Sequence, residues 1–532
     1  MMNRKIAYHQ PAKDMDLSWQ ICSRARLSRD ARFDGKFFVA VLSTGIYCRP
    51  ICRARTAKES NVRYFPSAAA AAEAGFRPCL RCRPECSPGT PAWLGTPSTV
   101  ARALRLIGET GLDESGLENG GVELLAERLG IGSRHLRRLF LRHLGATPSA
   151  VVRTRRLNFA KKLIDETSLP INQVALASGF GCVRRFNAAI RKTYHRTPTQ
   201  IRRLARQTGT PLENQYLFRL GFRPPYDWSA MLAFLAARAT PGVEVLDSKT
   251  YRRSLCLNGC DGYFEVSIGE ENDALTVRIQ FGDPRSLFFI IERIRAIFDL
   301  NADSTEIVRC LGSDPLLARR VEAAPGLRVP GCWNGFELAT RAILGQQISV
   351  KAATALAGRI ATRFGRPFSA ASGLTHLFPP PEVLADANLA GIGLPRARAE
   401  TIQALAGAVC DHQICFEGIV ESDSFLDRLC QIPGIGKWTA QYVAMRALGE
   451  PDAFPSGDLG LLHGADLVSS RELERRAEAW RPWRAYAAMY LWTIPRNRVP
   501  EGMRYPRPRE QTALGRLPDE QLLRDSRNPH LF

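Results

Sequence analysis

Three stretches of the chain carry different hydrophobic rhythms. From Val122 to about Gln207, Leu and Ala recur at helical spacing among Arg-rich polar positions, which predicts a run of amphipathic helices. Between Leu212 and about Ala324 helical spacing mixes with alternation, clearest in Leu275-Thr276-Val277-Arg278-Ile279-Gln280-Phe281, the mark of a half-buried strand. Helical spacing returns from Phe336 to Trp492, and Phe37 to Ser43 reads as a strand near the N-terminus. The Pro/Gly/Ser/Thr cluster at Pro84 to Trp93 and the Gly/Glu-rich stretch Gly111 to Gly121 read as linkers. The last residues, with several Pro, Arg and Asp and little periodicity, read as a disordered tail. The expected partition is therefore residues 1–92, 96–207, 212–330 and 331–498, with a tail from 499 to 532. A chain of 532 residues is longer than one hydrophobic core usually serves, and the fold class expected is multidomain α+β.

Charge narrows the function classes. With 73 Lys+Arg against 52 Asp+Glu the formal charge is +21, which predicts a polyanionic partner, nucleic acid first and an anionic membrane surface second. No run of about 18 apolar residues occurs and the N-terminus lacks a signal-type stretch, so the expected compartment is the bacterial cytosol, with no membrane partner. Thiols there stay reduced, so the 14 cysteines are expected as ligands, nucleophiles or small core residues rather than disulfides.

Four of them stand apart. Cys48-x3-Cys52 and Cys79-Leu80-Arg81-Cys82 form two short-spaced pairs that can converge as four tetrahedral thiolates, and zinc is the usual ion for such a set. Four thiolates on Zn²⁺ would leave a net charge of about −2, keeping sulfur deprotonated and nucleophilic without a separate base. Spacing alone leaves two readings open, a closed structural knuckle or a reactive thiolate. Cys256-x3-Cys260 has similar spacing but no second pair nearby, and both residues read as strand or hairpin positions.

The residues around the four thiols, Gly45-Ile46-Tyr47-Cys48-Arg49-Pro50, Cys52-Arg53-Ala54-Arg55 and Gly75-Phe76-Arg77-Pro78-Cys79, resemble the N-terminal domain of the Ada family of adaptive alkylation-response proteins. The resemblance covers roughly residues 30 to 85. It implies that Cys48 irreversibly accepts a methyl group from a methylated DNA phosphate and that Cys52, Cys79 and Cys82 complete the zinc site. Methylation would take the cluster from about −2 to about −1, reducing repulsion from phosphate and turning repair into a sensor. No Pro-Cys-His-Arg motif occurs, so the O6-methylguanine methyltransferase domain often attached to this family is not expected.

Downstream, Val122 to Gly130 followed by Ser133-Arg134-His135-Leu136-Arg137-Arg138-Leu139-Phe140 has the form of helix, Gly-bearing turn and a second helix opened by a Ser cap. The form recurs at Ile171 to Gly179 and Val183 to Arg191, and the copies end in Thr147-Pro148 and Thr197-Pro198. This duplicated helix-turn-helix resembles the AraC-type DNA-binding domain, with its linking helix around Arg155 to Ile164. Two recognition helices could enter successive major grooves, with Arg134, His135, Arg137, Arg184 and Arg185 as candidate base or phosphate contacts. A solvated helix face is the alternative for any single Arg. Promoter DNA, alkylated duplex DNA and RNA polymerase are the partners such a regulator implies.

In the last third, a helix ending at Gln431, the tight Pro433-Gly434-Ile435-Gly436 loop and a helix starting at Lys437 form a helix-hairpin-helix whose exposed backbone N–H groups suit a DNA phosphate. Gly434, Gly436 and Lys437 are the candidate contacts. Together with Pro224-Pro225-Tyr226-Asp227-Trp228, Phe234-Leu235-Ala236-Ala237-Arg238-Ala239, Arg341 to Ser349 and Arg481 to Tyr486, this loop resembles the 3-methyladenine DNA glycosylase II (AlkA) family, over about residues 212 to 495. The resemblance implies that Asp458 is the catalytic carboxylate, that Trp438, Tyr442 and Trp492 line a pocket for a flipped cationic base, and that Gln347 occupies the position of the residue wedged into the vacated stack. Trp438 stands where lyase-competent members carry a Schiff-base lysine, which implies monofunctional hydrolysis of the glycosidic bond. Two positions depart from the family pattern: Gly457 replaces an acidic residue and Gln347 an apolar one. The chain therefore resembles a fusion of zinc-bearing Ada module, all-α AraC-type double helix-turn-helix, antiparallel-sheet α+β lobe and helix-hairpin-helix glycosylase lobe. The alternative is a transcription regulator whose catalytically inactive glycosylase half serves as a DNA anchor, or an enzyme that its front half merely recruits.

Overall fold

One central strand with apolar residues on both faces organises the N-terminal module. The computed structural model describes residues 17–88, 98–109, 121–204, 213–370, 373–417 and 422–493. The expected tail, residues 89–93 of the first linker and residues 111–120 of the second lie outside them. Strand β1 (Phe38–Val41) is flanked by antiparallel β2 (Ile46–Cys48) and β3 (Val62–Phe65), and β2 pairs in parallel with β4 (Arg77–Pro78). Phe37 and Val39 pack on helix α1 (Trp19–Ser28) through Cys22 and Ala25; Phe38 and Ala40 face the other way, onto Ala71 of α2 (Ala68–Glu73).

Helices follow as the spacing predicted. After α3 (Ser98–Glu109), the first helix-turn-helix is α4 (Gly121–Arg128) and α5 (Ser133–Leu144). A long buried helix, α6 (Pro148–Glu166), leads to the second, α7 (Ile171–Ala177) and α8 (Val183–Tyr194), and then to α9 (Pro198–Leu204). Thr147 Oγ1 caps α6 by accepting from Ala150 N at 3.3 Å, and Thr197 Oγ1 does the same for Gln200 N at 3.2 Å. The Ser cap expected for α5 is corrected: Gly132 is the N-cap, without a side-chain bond, and Ser133 is already helical. In the second copy Cys182 takes that place, its Sγ accepting from Arg185 N at 3.5 Å.

The next lobe is a five-stranded antiparallel sheet in the order β5-β9-β8-β7-β6: β5 (Gln215–Gly221), β6 (Glu244–Leu246), β7 (Thr250–Leu257), β8 (Cys260–Ile268), β9 (Ala274–Phe281). Leu275, Val277, Ile279 and Phe281 of β9 point inward, as the alternation required. Cys256 and Cys260 lie either side of the Asn258-Gly259 hairpin turn, where both turn residues have positive φ. Helices α10 (Trp228–Ala236) and α11 (Leu287–Ile297) belong to this lobe, and one apolar core runs from α6, α7 and α8 into its sheet.

The C-terminal lobe is helical, from α12 (Ser304–Leu311) and α13 (Ala318–Ala323) through α14 (Gly335–Leu344), α15 (Val350–Phe364), α16 (Pro381–Ala385) and α17 (Arg396–Cys410). It continues with α18 (Ser422–Gln431), α19 (Lys437–Ala447), α20 (Leu459–Ala465), α21 (Ser470–Ala477) and α22 (Arg484–Trp492). The described residues up to Thr493 form one unit, and none of their helices is long and apolar enough to cross a membrane. The start of the expected first linker is corrected: Pro84 to Cys86 form a 3-10 turn, with Pro84 buried and Glu85 ion-paired to Lys161 of α6.

Buried charges join the modules. Lys36 Nζ lies 2.5 Å from Asp303 Oδ2, with the two side chains only 4% and 2% exposed. Lys36→Met leaves Asp303 buried without its cation and is expected to cost about 3 kcal/mol in urea unfolding, with partial recovery when Asp303→Asn is added; an unchanged midpoint would show the pair to be dispensable. Asp299 is half-buried and accepts from the Tyr486 hydroxyl at 2.7 Å; desolvation, partly offset by Arg328, raises its carboxyl to about 6. A raised acid binds its proton more tightly when folded, so its stabilising contribution is complete below about pH 4 and lost as pH rises through about 6. Asp299→Asn is expected to flatten that part of the stability profile in thermal melts from pH 4 to 7.

Candidate functional site

The parallel pairing of β2 with β4 brings the two cysteine loops side by side, since Cys48 ends β2 and Cys79 follows β4, with Cys79 N donating to Tyr47 O at 3.0 Å. Tight turns then return Cys52 and Cys82, and the Sγ atoms of Cys48, Cys52, Cys79 and Cys82 all lie within 4.8 Å of one another. Four sulfurs at about 2.3 Å from one ion would sit roughly 3.8 Å apart, so the set fits tetrahedral zinc. Without a cation among them the thiols compete for protons. Hydrogen bonds from the other three pull Cys79 well down, while contacts with the neighbouring thiols push Cys48 and Cys82 well up. Arg49 steadies the corner: its backbone N–H donates to Cys82 Sγ at 3.4 Å, and its guanidinium pairs with Asp34 and reaches Cys82 O at 3.2 Å. Arg53, Arg55 and Arg81 are exposed around it.

On the recognition helices, Arg134, His135, Arg137, Arg184 and Arg185 are all exposed, on the faces opposite buried Leu136, Phe140, Phe186 and Ile190. Arg137 pairs with Glu123 of α4 at 3.1 Å, and exposed Arg138, one position on, donates to the ring of His135 at 2.9 Å.

Asp458 sits at the start of α20 and caps it, Oδ1 accepting from Leu461 N at 3.1 Å. Two indoles also hold the carboxylate: Trp438 Nε1 donates to Oδ2 and Trp492 Nε1 to Oδ1, each at 2.9 Å. Tyr442, one turn along α19 from Trp438, stacks on it with centroids 5.6 Å apart and 12° between planes, and meets Trp492 edge-on at 6.3 Å. The helix-hairpin-helix lies alongside. Gly434 has φ 87°, and a Cβ there would stand 2.1 Å from Thr401 Oγ1, so the loop requires glycine. Gly436 and Lys437 are exposed at the N-terminus of α19, where no side-chain cap is present. Gln346 Nε2 donates to Gly434 O at 2.9 Å and Thr439 Oγ1 at 3.0 Å, which anchors its neighbour Gln347, exposed and at φ 59°. Backbone in that region is sparsely populated for a residue other than Gly and tends to mark functional positions.

Three residues packed beside this aromatic cluster had no role assigned from sequence. Phe234 of α10 reaches Trp492 at 6.3 Å between centroids, with the Arg238 and Arg446 guanidiniums 3.8 and 5.0 Å from its ring centroid. Arg446 Nη1 also donates to Tyr442 Oη at 2.8 Å; burial would raise that phenol, but Arg446 and Arg238 outweigh it and lower the pKa. The only advance signal was Phe-x3-Arg one helical turn apart in the AlkA-like motif.

Comparison with known proteins gives four family matches: the metal binding domain of Ada over residues 21–85, a helix-turn-helix domain over 125–204, the AlkA N-terminal domain over 217–334, and an HhH-GPD superfamily base excision DNA repair protein over 340–484. A "Probable bifunctional transcriptional activator/DNA repair enzyme AlkA" of Mycobacterium tuberculosis is 41% identical over 480 residues, 89% of this chain and 95% of that one. DNA-3-methyladenine glycosylase 2 of Escherichia coli is 33% identical over 52% of this chain and 96% of its own length. The bifunctional transcriptional activator/DNA repair enzyme Ada of the same species is 39% identical over 25% of this chain and 34% of its own. Zinc is thus the ion of the four-cysteine centre.

A Cβ on Gly460 would lie 3.0 Å from both Asp458 Oδ1 and Trp492 Cδ1, whereas one on Gly457 would meet nothing within 4 Å. Gly460→Ala is expected to break the Trp492 hydrogen bond, cost about 1 kcal/mol and shift indole emission, while Gly457→Ala leaves emission unchanged; equal spectra for the two would refute the packing described.

Proposed function

The chain belongs to the Ada–AlkA fusion family of bifunctional transcriptional activator/DNA repair enzymes, and from that premise we propose that Cys48 accepts methyl groups from DNA methylphosphotriesters while Asp458 serves hydrolysis of alkylated purine nucleosides such as 3-methyladenosine in DNA. When bound, zinc keeps all four sulfurs ionised, so no separate base is needed. Cys48 Sγ then attacks the methyl carbon; the S–C bond forms as the C–O bond breaks, and the phosphodiester leaves with the electron pair. Arg53, Arg55 and Arg81 supply the cationic rim that a phosphate backbone requires. With one less negative charge at the centre, the module repels phosphate less, and the paired recognition helices hold promoter DNA more tightly, where RNA polymerase can be recruited.

For excision, the carrying observation is the Asp458 carboxylate fixed by the indoles of Trp438 and Trp492. N3- and N7-alkylated purines are cationic and leave as neutral bases, so the enzyme need only extrude the nucleotide, stack it and stabilise positive charge growing on the sugar. Electron-rich faces of Trp438, Tyr442 and Trp492 suit a cationic base and discriminate loosely among purines. Asp458 faces the developing charge and orients water. Gln347 fills the vacated stack, and the backbone N–H groups after Gly434 and Gly436, with Lys437, hold a phosphate. With Trp at position 438 there is no amine to form a Schiff base, so the strand is left uncut.

Free base released from alkylated duplex DNA is expected to fall at least roughly 100-fold in Asp458→Asn with duplex binding retained, while Cys48→Ala abolishes methyl transfer and leaves base release intact. Wild-type protein that binds but releases no base would favour the DNA-anchor reading instead.

A further inference from the structure

The turn that supplies Cys79 and Cys82 is bolted to the rest of the protein at two points. Between the two ligands, Leu80 packs into the apolar core shared by the second helix-turn-helix and the five-stranded sheet. Directly after Cys82, Arg83 enters a buried ionic cluster: its Nη2 lies 2.7 Å from Glu166, and its Nε is 3.1 Å from Asp165 and 3.2 Å from Glu85. Lys161 bridges Glu85 and Asp165, and Lys162 joins Glu166 at 2.8 Å and Arg219 O of β5 at 2.6 Å. Glu166 Oε2 also accepts from Arg219 N at 3.3 Å. Sensor, linking helix α6 and glycosylase sheet thus meet in one place, where the Lys and carboxylate side chains are at most 10% exposed.

A second branch starts from the same cysteine. Arg49, bonded to both the sulfur and the carbonyl of Cys82, pairs with Asp34, whose carbonyl accepts from the fully buried Arg223 of the glycosylase lobe at 2.9 Å. Across the two branches five cations, Arg49, Arg83, Lys161, Lys162 and Arg223, face four carboxylates, Asp34, Glu85, Asp165 and Glu166. The neighbouring Cys86 thiol, raised to about 11 by burial, stays neutral. Summed over these groups and a four-thiolate centre of about −2, the charge is therefore about −1.

We propose that the Cys79–Cys82 turn transmits the state of the cysteine centre, so that methyl transfer to Cys48 tightens the joint among sensor, helix-turn-helix pair and glycosylase lobe. The inference rests on the reading of Cys48 as methyl acceptor. Transfer converts one thiolate to a thioether and takes the sum over these groups from about −1 to about 0, and holding less unbalanced charge out of water favours the closed arrangement. The methylated protein then presents its recognition helices and its Asp458 site as a stiffer unit.

The test is amide hydrogen exchange on the zinc-loaded full chain before and after incubation with a duplex carrying one methylphosphotriester, with intact mass reporting the added methyl. Exchange at the end of α6 (residues 163–166) and in β5 (217–221) is expected to slow roughly fivefold on methylation, and to be unaffected by the same duplex in Cys48→Ala. Arg83→Met should take up the methyl yet lose the slowing. Methyl uptake with unchanged exchange at α6 and β5 would overturn the transmission while leaving Cys48 as acceptor. Absence of uptake by the wild type would overturn the acceptor assignment and this inference with it.

Discussion

A cation taken out of water must be surrounded by oxygen, and that requirement governs how the parts of this protein meet. Arg223 is fully buried and donates to the carbonyls of Asp34, Asn301 and Ala302. Arg328, 2% exposed, donates to the carbonyls of Asp299, Ala302, Arg223 and Pro225. In each case the acceptors come from segments distant in sequence, so the cation is satisfied in few arrangements. Apolar packing supplies most of the stability; these buried guanidiniums and ammoniums decide which surfaces pack together.

The same device sets the sites. Arg446 is anchored by the carbonyls of Pro330 and Gly331 at 2.8 and 2.9 Å, and its remaining nitrogen fixes the hydroxyl of Tyr442. Arg49 does likewise for the loop carrying Cys82. These groups are thereby positioned from behind, by Arg446 held on backbone carbonyls and by Arg49 held on the Asp34 carboxylate.

What could be read in the sequence follows from how far each feature reaches along it. The cysteine centre was legible because its ligands come in two short-range pairs, and the helix-turn-helix pair because each copy is a local apolar pattern with its own turn. Strand β9 announced itself by alternation. The cap of α5 misled because Ser133 has a cap's side chain, while the backbone places Gly132 in the capping conformation. Pro84 to Cys86 looked like a linker by composition, yet Glu85 and Arg83 find partners on α6 some eighty residues later. Phe234 and Arg238 reach the aromatic cluster from more than two hundred positions before Asp458, a distance over which no periodicity speaks. Asp458 itself has the local signature of a helix cap, and caps α20; the indole of Trp492 that also holds it arrives only through the tertiary fold.

That double duty bears on how the carboxylate would respond to a substrate. Each of its oxygens is already tethered to an indole and one to a backbone amide, so the acid has no rotamers left to search. Its orientation was settled when the lobe folded, and little reorganisation energy remains for the encounter with a nucleotide. In the proposed excision an acid preorganised in this way would act on many leaving groups, because its readiness does not depend on recognising any one of them.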